Sequence, residues 1–212
     1  MVDKYKYTFS FTAASALIAE TLVIAEEYNR LNDWKAVEKL LLDNNLLNKV
    51  KQVTFKREFS EIKKRLSLLT QDQLQLMIQG SLDDAKAMIL LSLVKAYSFL
   101  RDFIVEVIRN KYFLFDTVVS EIDYIKFVNS KSLSHEELTA ITEVTAKKVK
   151  QVIFKLLEQI GLISQTKNGS ILKPILNSNV IDVVVEDDPM WLYAFLYSDT
   201  EINNLLQKTK HA

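Results

Sequence analysis

The sequence predicts a mainly helical, all-α protein carrying one small β-hairpin, and three observations set that class. Apolar residues recur at helical spacing along most of the chain, and Asn168-Gly169 stands between two short apolar runs. Only three glycines and two prolines occur, so the loops must be short, as packed helices require. Apolar residues make up 49% of 212 positions, enough for a sizeable core and well outside the disordered range.

The elements follow in order. A first helix is expected over 13–29, capped by Thr12, with Leu17, Ile18, Leu22, Ile24 and Ala25 on its apolar face. Asp33 caps a second through Val37, Leu40 and Leu41, ending at Asn44-Asn45. A third, roughly Thr54 to Leu69, turns Phe55, Phe59, Ile62, Leu66 and Leu69 inward. Thr70 with Gln73 makes a capping box for a short fourth helix that stops at Gly80. Ser81 and Asp84 open the longest stretch, to about Phe113. Its apolar positions are too dense for a surface helix, so it forms the centre of an N-terminal bundle over 1–115.

A second unit is expected over 116–212. Ser120 with Asp123 starts a helix carrying Ile122, Ile125, Phe127 and Val128, and Ser134 with Glu137 repeats the box ahead of Leu138 and Ile141. Thr145 then caps a helix over 146–160 that Gly161 ends. Leu162-Ile163 and Ile171-Leu172 read as strands joined by a turn at Asn168-Gly169, and Asp188-Pro189 starts a last helix with Met190, Trp191, Tyr193, Phe195 and Leu196. Short helix, turn, basic helix and hairpin together outline a winged helix-turn-helix, whose commonest task is holding duplex nucleic acid.

Charge supports that task locally, although 27 basic residues balance 27 acidic ones over the whole chain. On helix 146–160, Val149, Val152, Ile153, Leu156, Leu157 and Ile160 share one side, and Lys147, Lys148, Gln151 and Lys155 lie opposite. One side can therefore pack on the domain while the other offers long donors to phosphates. Between 145 and 175 six lysines (Lys147, Lys148, Lys150, Lys155, Lys167, Lys173) face Glu158 alone. The candidate DNA face adds Thr145, Gln151 and Asn168. It holds no arginine for bidentate guanine contacts, which favours backbone binding over base reading. A second basic patch is Lys49, Lys51, Lys56, Arg57, Lys63, Lys64 and Arg65, set against Glu58 and Glu61; it either extends the path or forms a solvated helix back.

Enzymatic classes find little support. The absence of cysteine excludes disulfides, thiolate metal sites and a cysteine nucleophile together. No glycine-rich phosphate loop, no HExxH pattern and no Ser/His/Asp set occurs, so neither a catalytic residue nor a cofactor is expected. His135 and His211 are too few for a histidine-rich metal site, and His135, with no nucleophile nearby, reads as solvated. The run Glu186-Asp187-Asp188 before Pro189 reads as helix capping, and the acidic tail over 176–212 sets six carboxylates against Lys208 and Lys210. The aromatic group Trp191, Tyr193, Phe195 and Tyr197 suits core closure or docking, and Phe154, off its helix's stripe, should pack on the tail or the bundle. The longest apolar run, Ala87 to Val94, is far below the roughly 20 residues of a membrane span. The N-terminal residues lack a signal pattern, and a cytoplasmic protein with no membrane partner is expected.

The chain resembles the BrxA family of bacterial BREX anti-phage systems. The resemblance is carried by Ser10-Phe11-Thr12 with Glu20 and Glu26, by Asn32-Asp33-Trp34, and by Arg101-Asp102-Phe103 with Glu106-Val107. It continues through Lys147-Lys148-Val149, Gln151-Val152, Gly161-Leu162-Ile163 and Glu186-Asp187-Asp188-Pro189, and residues after about Tyr197 extend beyond it. It implies an N-terminal part similar to the antitermination factor NusB, binding of double-stranded DNA, and other BREX proteins as partners. An adaptor that assembles a defence complex is the alternative class.

Overall fold

A computed structural model describes residues 6–13 and 15–209 of the chain. Met1–Tyr5, Lys210 and His211 lie outside these residues, as does the side chain of Lys208. The described part is mainly helical and carries one two-stranded antiparallel sheet.

The first helix, α1 (Ile18–Leu31), starts later than its apolar pattern predicts, because Leu17 sits in the left-handed region at φ 49°. Two distant side chains hold the segment ahead of it. The Arg65 guanidinium donates to Ser15 O at 3.1 Å, and Ala16 N donates to Gln159 Oε1 at 3.0 Å. Thr12 is not the cap of this helix; its hydroxyl donates to Phe9 O within a 3-10 turn over Ser10–Ala13. In α2 (Trp34–Asp43), Asp33 accepts from Lys35 N as expected. Helix α3 (Gln52–Leu66) buries Phe55, Phe59, Ile62 and Leu66. Capping boxes form at Thr70/Gln73 for α4 (Gln71–Gln79) and at Ser81/Asp84 for α5 (Leu82–Ala96). Every residue of α5 from Ala87 to Val94 is buried, which makes it the central helix.

The long stretch does not run unbroken to Phe113. Tyr97 is extended (φ −133°, ψ 95°), fully buried, and set edge-on to Phe11 at 5.2 Å. Beyond it come α6 (Ser98–Phe103), a π-helical turn over Ile104–Arg109, and α7 (Asn110–Phe113). One cluster of buried apolar side chains runs through both halves of the sequence. At its centre Phe103 meets Tyr124 at 5.7 Å, Phe127 at 5.3 Å and Phe154 at 6.2 Å.

After strand β1 (Val118–Val119), helix α8 (Glu121–Ser132) opens with the expected Ser120/Asp123 box. It buries Tyr124 and Phe127, whereas Ile122 and Ile125 face outward. The helix expected from Ser134 is the single turn α9 (Glu137–Ala140), and no box forms. Glu137 instead accepts from Tyr7 N and hydrogen-bonds the ring of His135. Helix α10 spans Glu143–Gln159, capped by Thr142 rather than Thr145. The expected hairpin is present as a bridge between Ile163 and Ile171. The longer pairing joins β1 to β2 (Gly169–Ser170), with Val118 opposite Ser170 and Val119 opposite Gly169.

Helix α11 (Ser178–Asp187) is not expected from the sequence. Its β-branched run Val183-Val184-Val185 is a weak helix former, yet Asn177 caps it and Val180 and Val184 anchor it in the core. The residues after Asp188 form a 3-10 segment (Pro189–Phe195) that Asp188 caps through Met190 N, followed by α12 (Asp199–Thr209). Asp187 pairs with Lys95 at 2.7 Å. The acidic run thus acts in capping and pairing. Among the described residues, no cluster of histidine and acidic side chains is arranged to hold a metal ion, and no helix is long and apolar enough to cross a membrane.

A candidate nucleic-acid interface

Helix α10 is built as an amphipathic strut. Thr142 Oγ1 accepts from Thr145 N at 3.2 Å, and Glu143 sits in the first turn where the helix dipole favours an acid. Val149, Ile153, Phe154, Leu156 and Leu157 are buried. At the other end Gly161 takes φ +82°, and Leu162 N donates to Leu157 O across the terminus. The loop that follows, 165–168, is closed by Ser164 N donating to Ser170 O. Asn168 supplies a left-handed turn at φ 50°. A side chain at Gly169 would place Cβ 2.1 Å from Gln165 O, so only glycine fits that close approach.

The lysines expected on this face fall into two groups. Lys147, Lys148 and Lys167 are exposed and make no ion pair among the described residues, and Gln151 and Asn168 are exposed beside them in sequence. The others are already engaged. Lys150 Nζ lies 2.7 Å from Glu121 Oε2, Lys155 pairs with Glu158 at 2.6 Å, and Lys173 pairs with Glu201 at 2.6 Å. Lys173 also lies 4.6 Å from the Tyr197 ring, so it is turned toward α12 rather than outward. Thr145 is half-buried, its hydroxyl 3.0 Å from that of Thr142. Glu201 is held below its ordinary value: burial pushes it up, and hydrogen bonds from Lys173 and Ser198 more than offset that.

Glu121, the first residue of α8, belongs to this face and escapes sequence analysis. It lies 29 residues from Lys150, a separation with no local signature. Pairing of Val119 with Gly169 brings the start of α8 alongside the loop bearing Lys167. The Lys150 hydrogen bond and charge, with a further contribution from Lys167, hold the Glu121 carboxyl below its usual value.

The second basic patch is mostly occupied. Lys49 bridges Glu20 at 2.8 Å and Glu58 at 2.9 Å, and the hydrogen bond it donates to Glu20 raises its pKa. Arg65 is 1% exposed; burial disfavours its charged form and Glu61 partly offsets this. Lys63 lies 5.6 Å from the Trp34 ring and Lys64 4.5 Å from the Tyr97 ring. Lys51, Lys56 and Arg57 remain as exposed charge on the first turns of α3.

His135 is not the solvated residue expected. Its ring stacks on Tyr7 at 3.8 Å and its Nδ1 lies 3.0 Å from Glu137 Oε1. The Tyr7 hydroxyl donates to Asp102 Oδ2 at 2.8 Å, and burial, followed by that bond, pushes its pKa up. A cleft of about 670 Å³ opens beside the stack. Ser134 lines it, and its hydroxyl donates to Lys131 O. Phe154 packs on Phe103 and Tyr124, both at 6.2 Å, as its position off the apolar stripe suggests.

Comparison with known proteins places this architecture. A crystal structure of an uncharacterized protein from Magnetospirillum magneticum superposes with a TM-score of 0.77, covering 91% of this chain and 98% of that one at 17% identity. It is similar in fold. The family model described as BrxA matches residues 5–188. A curated relative, the BREX protein BrxA of Bacillus cereus (strain H3081.97), is 24% identical over 185 residues, covering 86% of this chain and 92% of its own length.

Proposed function

The chain belongs to the BrxA family, and from that membership we propose that it is a non-enzymatic, double-stranded-DNA-binding component of a BREX phage-defence system. In this reading α8 to α10 and the loop over 165–168 work as a winged helix-turn-helix, behind an N-terminal NusB-like bundle. The observation that carries it is the exposure of Lys147 and Lys148 on a helix whose other face is held by the core, and of Lys167 on the exposed loop that follows it. Lysine without arginine on this face supplies point charges for phosphates rather than forks for guanine. Binding is accordingly driven by counterion release and is indifferent to sequence.

Fluorescence anisotropy of a 30-base-pair random duplex over a salt series tests this. Wild type binds, with affinity falling steeply as salt rises. The variant Lys147→Glu/Lys148→Glu/Lys167→Glu loses most of the affinity, and its salt slope shrinks by about 0.9 for each phosphate contact removed. Equal binding by the two proteins places the contact elsewhere, with Lys51, Lys56 and Arg57 next in line. A second reading, an adaptor for other BREX proteins, is favoured by the exposed apolar pair Leu114 and Phe115, at 77% and 91% exposure. Absence of duplex binding by wild type would move that reading to the front.

A further inference from the structure

Within the DNA-binding reading, one acid of the basic face joins α8 to α10. Glu121 projects from the start of α8 with its side chain 64% exposed, and its carboxylate lies 2.7 Å from the ammonium of Lys150. The pair joins two elements, since Lys150 lies in the middle of α10. Antiparallel pairing of Val118 with Ser170 and Val119 with Gly169 sets α8's first turn next to the 165–168 loop. Lys167 is close enough there to act on the Glu121 carboxyl. Lys147 stands one helical turn before Lys150. The Glu121 carboxylate therefore sits between the lysines of α10 and of the 165–168 loop.

Folding accounts for only part of its position. An acid in the first turn of α8 gains modestly from the helix dipole, at an end that Ser120 and Asp123 already cap, and an exposed ion pair contributes little to stability. In charge and hydrogen-bonding chemistry, the carboxylate on Lys150 is what a backbone phosphate would be: an anionic oxygen accepting from an ammonium.

We propose that Glu121 is an internal stand-in for phosphate, a displaceable counter-ion that keeps Lys150 off the duplex until a bound backbone takes its place. The proposal rests on the DNA-binding reading and concerns the strength of that binding. Glu121 then sets a ceiling on affinity. Lys147, Lys148 and Lys167 make the first contacts, and Lys150 contributes only where a phosphate outcompetes Glu121.

The experiment uses the full chain and the 30-base-pair random duplex, with wild type, Glu121→Gln, Lys150→Gln and the double variant. Glutamine keeps the shape at position 121 and removes the charge. Freeing one lysine for one phosphate steepens the salt slope by about 0.9, which at 0.1 M salt corresponds to about eightfold tighter binding. Glu121→Gln should show both changes, and the gain should vanish when Lys150→Gln is also present. Unchanged or weaker binding by Glu121→Gln, with wild type binding and the lysine reversals abolishing it, overturns this proposal and leaves the DNA-binding reading intact. A gain that persists in the double variant also overturns it, because Glu121 would then be repelling the backbone directly. Absence of binding by wild type and Glu121→Gln alike removes both. Melting curves on all four proteins show that each is folded, and only small differences among them are expected.

Discussion

Glu137 concentrates three elements on one carboxylate: the N-terminal segment through Tyr7 N at 2.5 Å, His135 at 3.0 Å, and α9, whose first residue it is. Burial pushes its pKa up, but the bonds from Tyr7 N, its own backbone and His135 prevail and hold it below the ordinary 4.5. A depressed carboxyl contributes stability that is present above 4.5 and lost as pH falls through the lower folded value. Glu137→Gln should therefore cost about 1 kcal/mol at pH 7 and flatten the acid limb of a Tm-against-pH curve below 4.5. An unaltered acid limb would show that other carboxylates set it. Gly161 isolates a backbone effect, because at φ +82° nothing lies within 4 Å of a Cβ added there. Gly161→Ala should lose about 1–2 kcal/mol from the left-handed conformation alone. For a chain of this size that is a fall in Tm of roughly 2–8 °C. The sequence identifies Gly161 as a helix stop, since glycine after a periodic apolar run has few other uses. Glu137 was legible only as a capping residue; its partners lie 130 residues away and two residues away.

Elements whose ends are written locally were readable, and those whose ends are set by tertiary contacts were not. The boxes at Thr70, Ser81 and Ser120 form where short-range spacing puts them. By contrast, α1 starts late because Arg65 and Gln159 hold Ser15 and Ala16, and the central stretch breaks at a buried Tyr97. Helix α11 runs through a β-branched segment because the core accepts Val180 and Val184. Helix α10 shows how fine the margin is. Thr142 and Thr145 are both good caps, and the one-turn displacement adds Glu143, Val144 and Thr145 to the helix. Thr142→Ala should cost about 1 kcal/mol in chemical denaturation. Thr145→Ala should stay within about 0.5 kcal/mol, because the cap is accepted from its backbone N–H. The reverse order would return the cap to Thr145.

Across the whole molecule, charge is redistributed by pairing in a way composition cannot show. The 145–175 segment reads as six lysines against one acid, yet Lys150, Lys155 and Lys173 are engaged by Glu121, Glu158 and Glu201, two of which lie outside that segment. The 49–65 patch contracts further, with Arg65 enclosed and Lys49 bridged. Among the described residues, the two segments keep exposed and outside any ion pair Lys147, Lys148 and Lys167 around α10 and its loop, Lys51, Lys56 and Arg57 at the start of α3, and Lys64 over the Tyr97 ring. The same molecule is joined internally by aromatic side chains, since Phe154 touches Phe103 and Tyr124 at once. Phe154→Ala should lower stability by about 3–5 kcal/mol and shift the unfolding of both halves together. Two separated transitions would contradict a shared core. The DNA-facing role proposed for α10 and its loop is tested most directly by hydrogen exchange on the full chain, alone and saturated with a 30-base-pair duplex. Exchange should slow at the amides of the 165–168 loop and the first turns of α10, with the α3 backbone unchanged. Protection confined to the start of α3, or no protection anywhere, would contradict it.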